Sequence, residues 1–420
     1  MSQAGAGSRD IEAPEALAAL FGDQALIRVF AALDQEGEET RIVGGALRNA
    51  LLGRPTHEID LATTLLPEAV MARANAAGLR AIPTGVAHGT VTLLAGEKTF
   101  EVTTLREDIA TDGRRAIVLF GRSFETDALR RDFTINALSM TRDGRLFDYT
   151  GGLDDIAARK VRFIGEPARR IAEDYLRILR FFRFSADFGD GLLDSAGRIA
   201  AIRKRDGLAR LSRERIHAEL LKLLSARQAA TVCTEICADG LLHLLIASVP
   251  NPARLRRVVA IVPPQDPLLR LAALCVNLPE DAARLRERLR LSNAEAERLE
   301  RAALALVTLH GLNEPPARGD LRGLLFRHGR QASGDAIILA EADARPGHDD
   351  EWGRARKFLL DTEEPRLPFS GADMIARGIV EGRAVGEALK ELQARWIRAG
   401  FPTDPARLAR LLDETPRGTT

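Results

Sequence analysis

The chain has 420 residues, of which 45% are hydrophobic and 28% charged, with a formal net charge of +1 and three cysteines. That length exceeds one ordinary core and predicts two to four domains. The composition excludes a disordered or fibrous chain. A near-neutral total does not announce a nucleic-acid binder, although it can hide a basic face opposite an acidic one.

In chain order, the opening "MSQAGAGSRD" reads as a frayed tail, and residues 1–23 are expected to form a flexible N-terminus. It lacks the basic-then-apolar pattern of a secretion signal, and no apolar run is long enough to span a bilayer. With sparse, odd-numbered cysteines suited to a reducing compartment, a cytoplasmic location is expected. Strands are predicted at "TRIVGG" (40–45), "EIDLAT" (58–63), "GTVTLLAG" (89–96) and "KTFEVTTL" (98–105). The last two flank Gly96-Glu97 and read as a hairpin. After Phe163 the strand signals stop. From Glu173 onward the pattern is helix after helix, with breaks at 277–281, 312–320, 344–352 and 362–371.

Several stretches carry chemistry. Glu58 and Asp60 project from one face of a strand, where bare carboxylates repel unless one is protonated or a cation joins them. Hard magnesium prefers such oxygens, whereas the plain alternative is a charged, solvent-facing edge strand. Upstream, "IVGGALRNALLG" runs from strand through Gly44-Gly45 into a helix bearing Arg48. Two glycines let backbone approach a phosphate, and a helix start offers free N–H donors; a tight strand-to-helix turn is the alternative. Glu101, between Phe100 and Val102, reads as an acid in need of a partner, and a third carboxylate facing the pair would suit two-metal phosphoryl transfer. Cys233 and Cys237 read as core residues rather than a zinc site.

The ordered blocks "VGGALRNALLGRP…EIDLATTLLPE", "PTGVAHGTVTLL", "FEVTTLRED", "DALRRDFTINALSM", "FDYTGGLDDI", "VRFIGEPARRIAEDYLRILRFFRFSADFG" and "LSRERIHAELLKLL" span about 190 residues. Together they resemble the bacterial (class II) tRNA nucleotidyltransferase and poly(A) polymerase family, within the DNA polymerase β-like superfamily. The resemblance implies an α+β chain: a polymerase β-like nucleotidyltransferase head (24–160), then an all-helical neck reading the base (161–226), body (227–365) and tRNA-binding tail (366–420). It implies addition of C, C and A to tRNA 3′ ends from CTP and ATP with two magnesium ions. The partners would be CTP, ATP and the tRNA acceptor arm and 3′ end.

By the same resemblance, Glu58 and Asp60 hold the metals, Glu101 is a third acid, and Gly44, Gly45 and Arg48 cradle the triphosphate. Asp127, Arg130 and Asn136 position the sugar. Asp174 and Arg177 of "EDYLR" read the base, and Arg180 and Arg183 extend a basic face towards phosphates. Cytosine and adenine both set an amino donor beside a ring-nitrogen acceptor, which a carboxylate and a guanidinium match. Uracil and guanine would leave buried groups unpaired. Phe181, Phe182 and Phe184 read as core. Glu214, Arg215 and Glu219 brace the helices, and His88 packs a loop. Asp112, Gly113 and Arg114 are the expected tip of a flexible loop.

Two departures from the family pattern stand out. Asn49 follows Arg48 where the family has Asp, and Glu58 stands where it has Asp. A carboxyl one methylene longer still donates oxygen. In the tail, Gly378, Gly382 and Gly386 offer backbone approach to phosphates or helix caps. The arginines of 254–260 and 284–302 could face RNA, although the second run, mixed with Glu, reads as a solvated helix. Poly(A) or A-only addition, and a catalytically silent tRNA-binding protein, are the rival readings.

Overall fold

The computed structural model describes residues 9–12, 14–56, 58–111, 116–262 and 266–414. It divides into two compact units, Met1–Leu241 and Leu242–Thr420.

The first unit is built on strands β1 (Arg9–Glu12), β2 (Thr40–Val43), β3 (Ile59–Thr63), β4 (Arg80–Gly85), β5 (Thr90–Ala95), β6 (Lys98–Thr104), β7 (Arg106–Thr111), β8 (Ala116–Phe120), β9 (Ser139–Met140) and β10 (Arg145–Asp148). Eight of them form one sheet in the order β1-β10-β9-β2-β3-β6-β5-β4, and β7 pairs with β8 apart from it. The β3–β6 pairing is parallel, while the other neighbouring pairs of this sheet are antiparallel. Alternation sends Ile42, Leu61, Val91, Leu93, Phe100 and Val102 to one buried face. Helices α1 (Ala18–Phe21), α2 (Gln24–Leu33), α3 (Gly45–Leu51) and α4 (Pro67–Ala76) follow in the same unit, with α2 and α4 packed on the β4–β5–β6 side. Asp23 caps α2 by accepting from Ala25 N at 3.0 Å. Leu26, Val29, Phe30 and Leu33 then recur on its buried stripe, each worth about 1.5–3 kcal/mol when fully buried.

The expected hairpin is present: Ala95 pairs with Lys98 across Gly96-Glu97, and Gly96 has φ 67°. Other strands escape the pattern. β9 has two residues, and β4 carries Pro83, tolerated because it lies at the sheet edge. Residues 1–23 are not uniformly a loose tail. Arg9–Glu12 pair with β10, and Leu17 is fully buried.

Past the sheet come α5 (Phe124–Leu129), α6 (Gly152–Ala157), α7 (Pro167–Glu173), α8 (Leu176–Asp187), α9 (Ser195–Arg203), α10 (Arg213–Ser225) and α11 (Ala229–Ala238). Among the described residues no strand follows β10. Phe181, Phe182 and Phe184 of α8 are core, as expected, at 0–5% exposure. Phe181 lies 5.5 Å from the Phe163 ring and Phe184 lies 5.4 Å from Phe133.

The second unit is helical among its described residues: α12 (Leu242–Ile246), α13 (Pro252–Ile261), α14 (Pro267–Cys275), α15 (Pro279–Leu289), α16 (Asn293–Val307), α17 (Arg318–Asp343), α18 (Asp349–Asp361), α19 (Gly371–Ala376), α20 (Arg383–Arg398) and α21 (Pro405–Asp413). The RNA-facing reading of 254–260 fails at its first arginine. Arg254 is 2% exposed and donates to Ala273 O (2.7 Å), Val276 O (2.7 Å) and Asn277 Oδ1 (2.8 Å), so it caps the end of α14 from inside. In the second run, Arg298 bridges Asp266 and Asp335 rather than facing solvent alone. Gly378 follows α19 and Gly382 caps α20, both at positive φ, which accounts for two of the tail glycines.

Candidate active site

The acids lie on the sheet face opposite the apolar one. Asp60 and Glu101 are register partners on the parallel strands β3 and β6, so their side chains leave the sheet side by side. Both are exposed, as is Glu58, which sits one residue before β3. Glu101 is not buried as its neighbours suggest: Phe100 and Val102 turn to the core, and Glu101 turns to water. Protein crowding around the Asp60 carboxyl, then the charge of Glu101 and that of Glu58, raise its pKa against the opposing pull of Arg131. Among the described residues no three His, Cys, Asp or Glu side chains form a ready-made metal cage. Below this face Val43, Ala62, Leu105 and Phe124 form a small apolar floor. Arg41 is sandwiched there between the Phe124 and Phe147 rings at 4.0 and 3.8 Å.

β2 runs into Gly44, the residue before α3, at φ 70° and ψ −122°, a conformation that disfavours any side chain. A Cβ there would lie 3.1 Å from Arg131 Nη1, and one at Gly45 would lie 3.5 Å from Arg48 Nη2. Arg48, expected to reach a phosphate, points inward instead. It is 7% exposed, its guanidinium lies 3.7 Å from the Phe188 ring, and it donates to Asn136 Oδ1 and to Asn49 Oδ1 (2.9 Å). Burial pulls its pKa down to about 10, so it stays cationic at neutral pH. Asn49, the departure from the family pattern, thus serves as a neutral acceptor for Arg48.

Ser123 caps α5 through Thr126 N and sets up Asp127. Asp127 is 4% exposed, not a surface ion pair. It accepts from Arg130 Nε (2.8 Å) and from Arg131 Nε and Nη2 (3.2 and 3.1 Å). Burial pushes its carboxyl up, but the guanidiniums of Arg131 and Arg130 outweigh this and hold it below the ordinary value. Asn136 donates through Nδ2 to Asp132 Oδ1 (3.2 Å), and its backbone carbonyl accepts from Arg131 Nη1 (3.3 Å). Asp132 is buried and also holds Arg180 Nη2 at 2.6 Å. Burial raises its pKa, and the Arg180 charge with the Asn136, Arg180 and Phe133 hydrogen bonds brings it below the ordinary value.

At the α7–α8 junction Asp174 accepts from Leu176 N (3.0 Å) and Arg215 Nη2 (2.7 Å). Arg177 donates through Nη1 to Glu173 Oε2 (2.5 Å) and Arg170 O (2.8 Å). Arg183 pairs with Glu219 at 2.6 Å and lies 3.9 Å from the Phe184 ring, which ties it into the helices rather than freeing it for phosphates. Of the expected braces, Arg215 and Glu219 make such contacts, and Glu214 is exposed. His88 is exposed rather than packed. Gly89 is the tight residue there, with φ 82° and an added Cβ 2.8 Å from Phe120. Asp112, Gly113 and Arg114 lie outside the described residues.

Arg131, Asp132 and Arg170 escaped the sequence reading although all lie in its quoted blocks. The run Arg130-Arg131-Asp132 entering a buried stretch at Phe133 was the available signal.

Residues 40–162 match the poly A polymerase head domain, and 198–251 match a probable RNA and SrmB-binding site of polymerase A. A mitochondrial CCA tRNA nucleotidyltransferase 1 of Danio rerio is 34% identical over 90% of this chain and 88% of its own. A CCA-adding enzyme of Limosilactobacillus fermentum is 30% identical over 92% of this chain and 95% of its own. The crystal structure of the Bacillus stearothermophilus CCA-adding enzyme in complex with CTP superposes with a TM-score of 0.73 and 27% identity, covering 95% of this chain and 98% of that one. The Thermotoga maritima CCA-adding enzyme complexed with tRNA shares the fold at 18% identity and a TM-score of 0.67, over 97% and 98% of the two chains. No helix among the described residues is long and apolar enough to cross a membrane.

Proposed function

The chain belongs to the class II tRNA nucleotidyltransferase, or CCA-adding, family, and on that footing we propose how its own residues carry the reaction. The enzyme adds C, C and A to the 3′ end of tRNA from CTP and ATP without a nucleic-acid template. The terminal 3′-hydroxyl attacks the α-phosphate, and pyrophosphate leaves.

Glu58 and Asp60 would hold two magnesium ions, with Glu101 as the third acid. The observation that carries this assignment is the register pair Asp60–Glu101 on one open sheet face, where crowding by the protein and then the charges of Glu101 and Glu58 raise the Asp60 pKa. A divalent cation relieves that repulsion, and magnesium takes one or two protein carboxylates and completes its shell with water and substrate phosphates. Bound there, the ions would make the hydroxyl more acidic and neutralise charge on the phosphates.

Gly44 and Gly45 give the triphosphate close backbone approach. Arg48 supports them at one remove, by fixing Asn136 from the interior. Asp127 holds Arg130 and Arg131, each about a quarter exposed, beside the sugar and phosphates, and Arg180 extends this basic edge from Asp132. Asp174 retains lone pairs for a base amino group. Arg177 spends Nη1 on the protein and presents Nη2 to the ring nitrogen. The head (24–160) thus performs the chemistry and the neck (161–226) selects the base. The body (227–365) and tail (366–420) grip tRNA through shape and phosphates. The reaction belongs in the cytoplasm.

The test uses tRNAs ending before or within CCA, with magnesium and CTP or ATP supplied singly and together. C followed by a single A supports the reading. Long A tails would make the protein a poly(A) polymerase, and tight tRNA binding without incorporation would make it a silent binder.

A further inference from the structure

We propose that Arg170 is a positioning residue that registers the base-reading arginine against the sugar side of the site, so that base choice and phosphate placement are set together. This rests on the base-reading role given above to Asp174 and Arg177.

Arg170 lies on α7, four residues before Asp174, and its side chain is 11% exposed. One guanidinium nitrogen, Nη2, donates to the backbone carbonyls of both Arg130 and Arg131. The other, Nη1, donates to Glu173 Oε2 at 2.6 Å. That same carboxylate oxygen receives Arg177 Nη1 at 2.5 Å, and the Arg170 carbonyl receives the same Nη1 at 2.8 Å. A single residue therefore grips Arg177 from two directions while clamping the turn that carries Arg130 and Arg131. Those two arginines are also the pair held by buried Asp127.

A planar guanidinium bridging two carbonyls and a carboxylate leaves little freedom, and an ammonium group cannot reproduce that fork. Selection against uracil depends on aiming one hydrogen bond at one ring position, where small misplacement is costly. Arg170 touches no base in this scheme; it acts through Glu173 and Arg177.

The test compares wild type, Arg170→Gln, Arg170→Lys and Arg177→Ala as full chains, using tRNA lacking CCA. Addition kinetics with CTP and UTP are read together with thermal unfolding. Arg170→Gln is expected to raise the CTP KM about tenfold and to cut the CTP-over-UTP preference by at least about tenfold. Arg170→Lys, which keeps the charge beside Glu173, should fall between. If Arg170→Gln does not fold, Arg170→Lys is judged by the same two numbers. Wild-type KM and preference in a folded Arg170 variant, with preference lost in Arg177→Ala, would overturn the proposal and leave the base-reading role standing. Preference retained in Arg177→Ala would overturn both.

Discussion

Replacing Asp127 by Asn separates holding the fold from holding the nucleotide. The carboxylate is 4% exposed and accepts from two guanidiniums, at 2.8 Å from Arg130 Nε and 3.1 Å from Arg131 Nη2. The amide keeps the shape but loses the charge, and its NH2 either meets two donors or turns away. Removing one partner of a buried ion pair costs about 3–5 kcal/mol. Arg130 and Arg131 are each 24% exposed and recover some hydration, which places the expected loss near the lower end, roughly 3 kcal/mol. Denaturant unfolding measures that loss. Single-nucleotide addition, at a temperature where the variant is folded, should show KM for CTP and ATP raised about tenfold or more, equivalent to roughly 1.4 kcal/mol of binding. A stability loss with both KM values within twofold of wild type would refute the nucleotide role. No stability loss would refute the buried network itself.

Other consequences follow from groups away from the reacting atoms. Asp34 is pushed up to about 6 by burial, against hydrogen bonds from Thr40, and its Oδ1 has no hydrogen-bond partner among the described residues. A folded pKa above the unfolded value means stability is full below about 4 and falls as pH rises through about 6, by at most roughly 3 kcal/mol. Asp34→Asn should flatten that fall and be more stable than wild type at pH 7.5 in urea unfolding; an unchanged pH profile would show that another group causes it. Arg254→Met takes the side-chain donor from the buried Ala273 and Val276 carbonyls at the end of α14, while Ala272 O keeps Val276 N, and should cost at least about 2 kcal/mol. Filter binding of the folded variant to tRNA should stay within about twofold of wild type; a large affinity loss would return Arg254 to the RNA surface.

Legibility in the sequence followed locality. The strands around Ile42, Leu61, Val91 and Val102 were readable because alternation is a local signal, and the α5 pair Asp127–Arg130 was readable from helical spacing. Glu101 was placed in the right strand with the wrong surroundings. Its flanking Phe100 and Val102 signalled burial, although alternation puts them on the other face. The burial of Arg48 and Arg254 is not legible, because a charged residue after a glycine turn, or within an arginine run, carries no mark of burial. Their partners, Phe188 and the carbonyls of 272–276, are supplied only by tertiary packing. Asp132 and Arg170 find theirs 48 and about 40 residues away, at Arg180 and at the 130–131 carbonyls, beyond the reach of any periodicity.

As proposed, the open carboxylates beside β3 and β6 are the reaction centre of a template-independent nucleotidyltransferase. Asp60→Ala separates chemistry from tRNA binding, with C and A addition and tRNA affinity measured on the same preparation. Addition is expected to be abolished while tRNA affinity stays close to wild type. A variant that still adds nucleotides at near the normal rate would contradict that assignment.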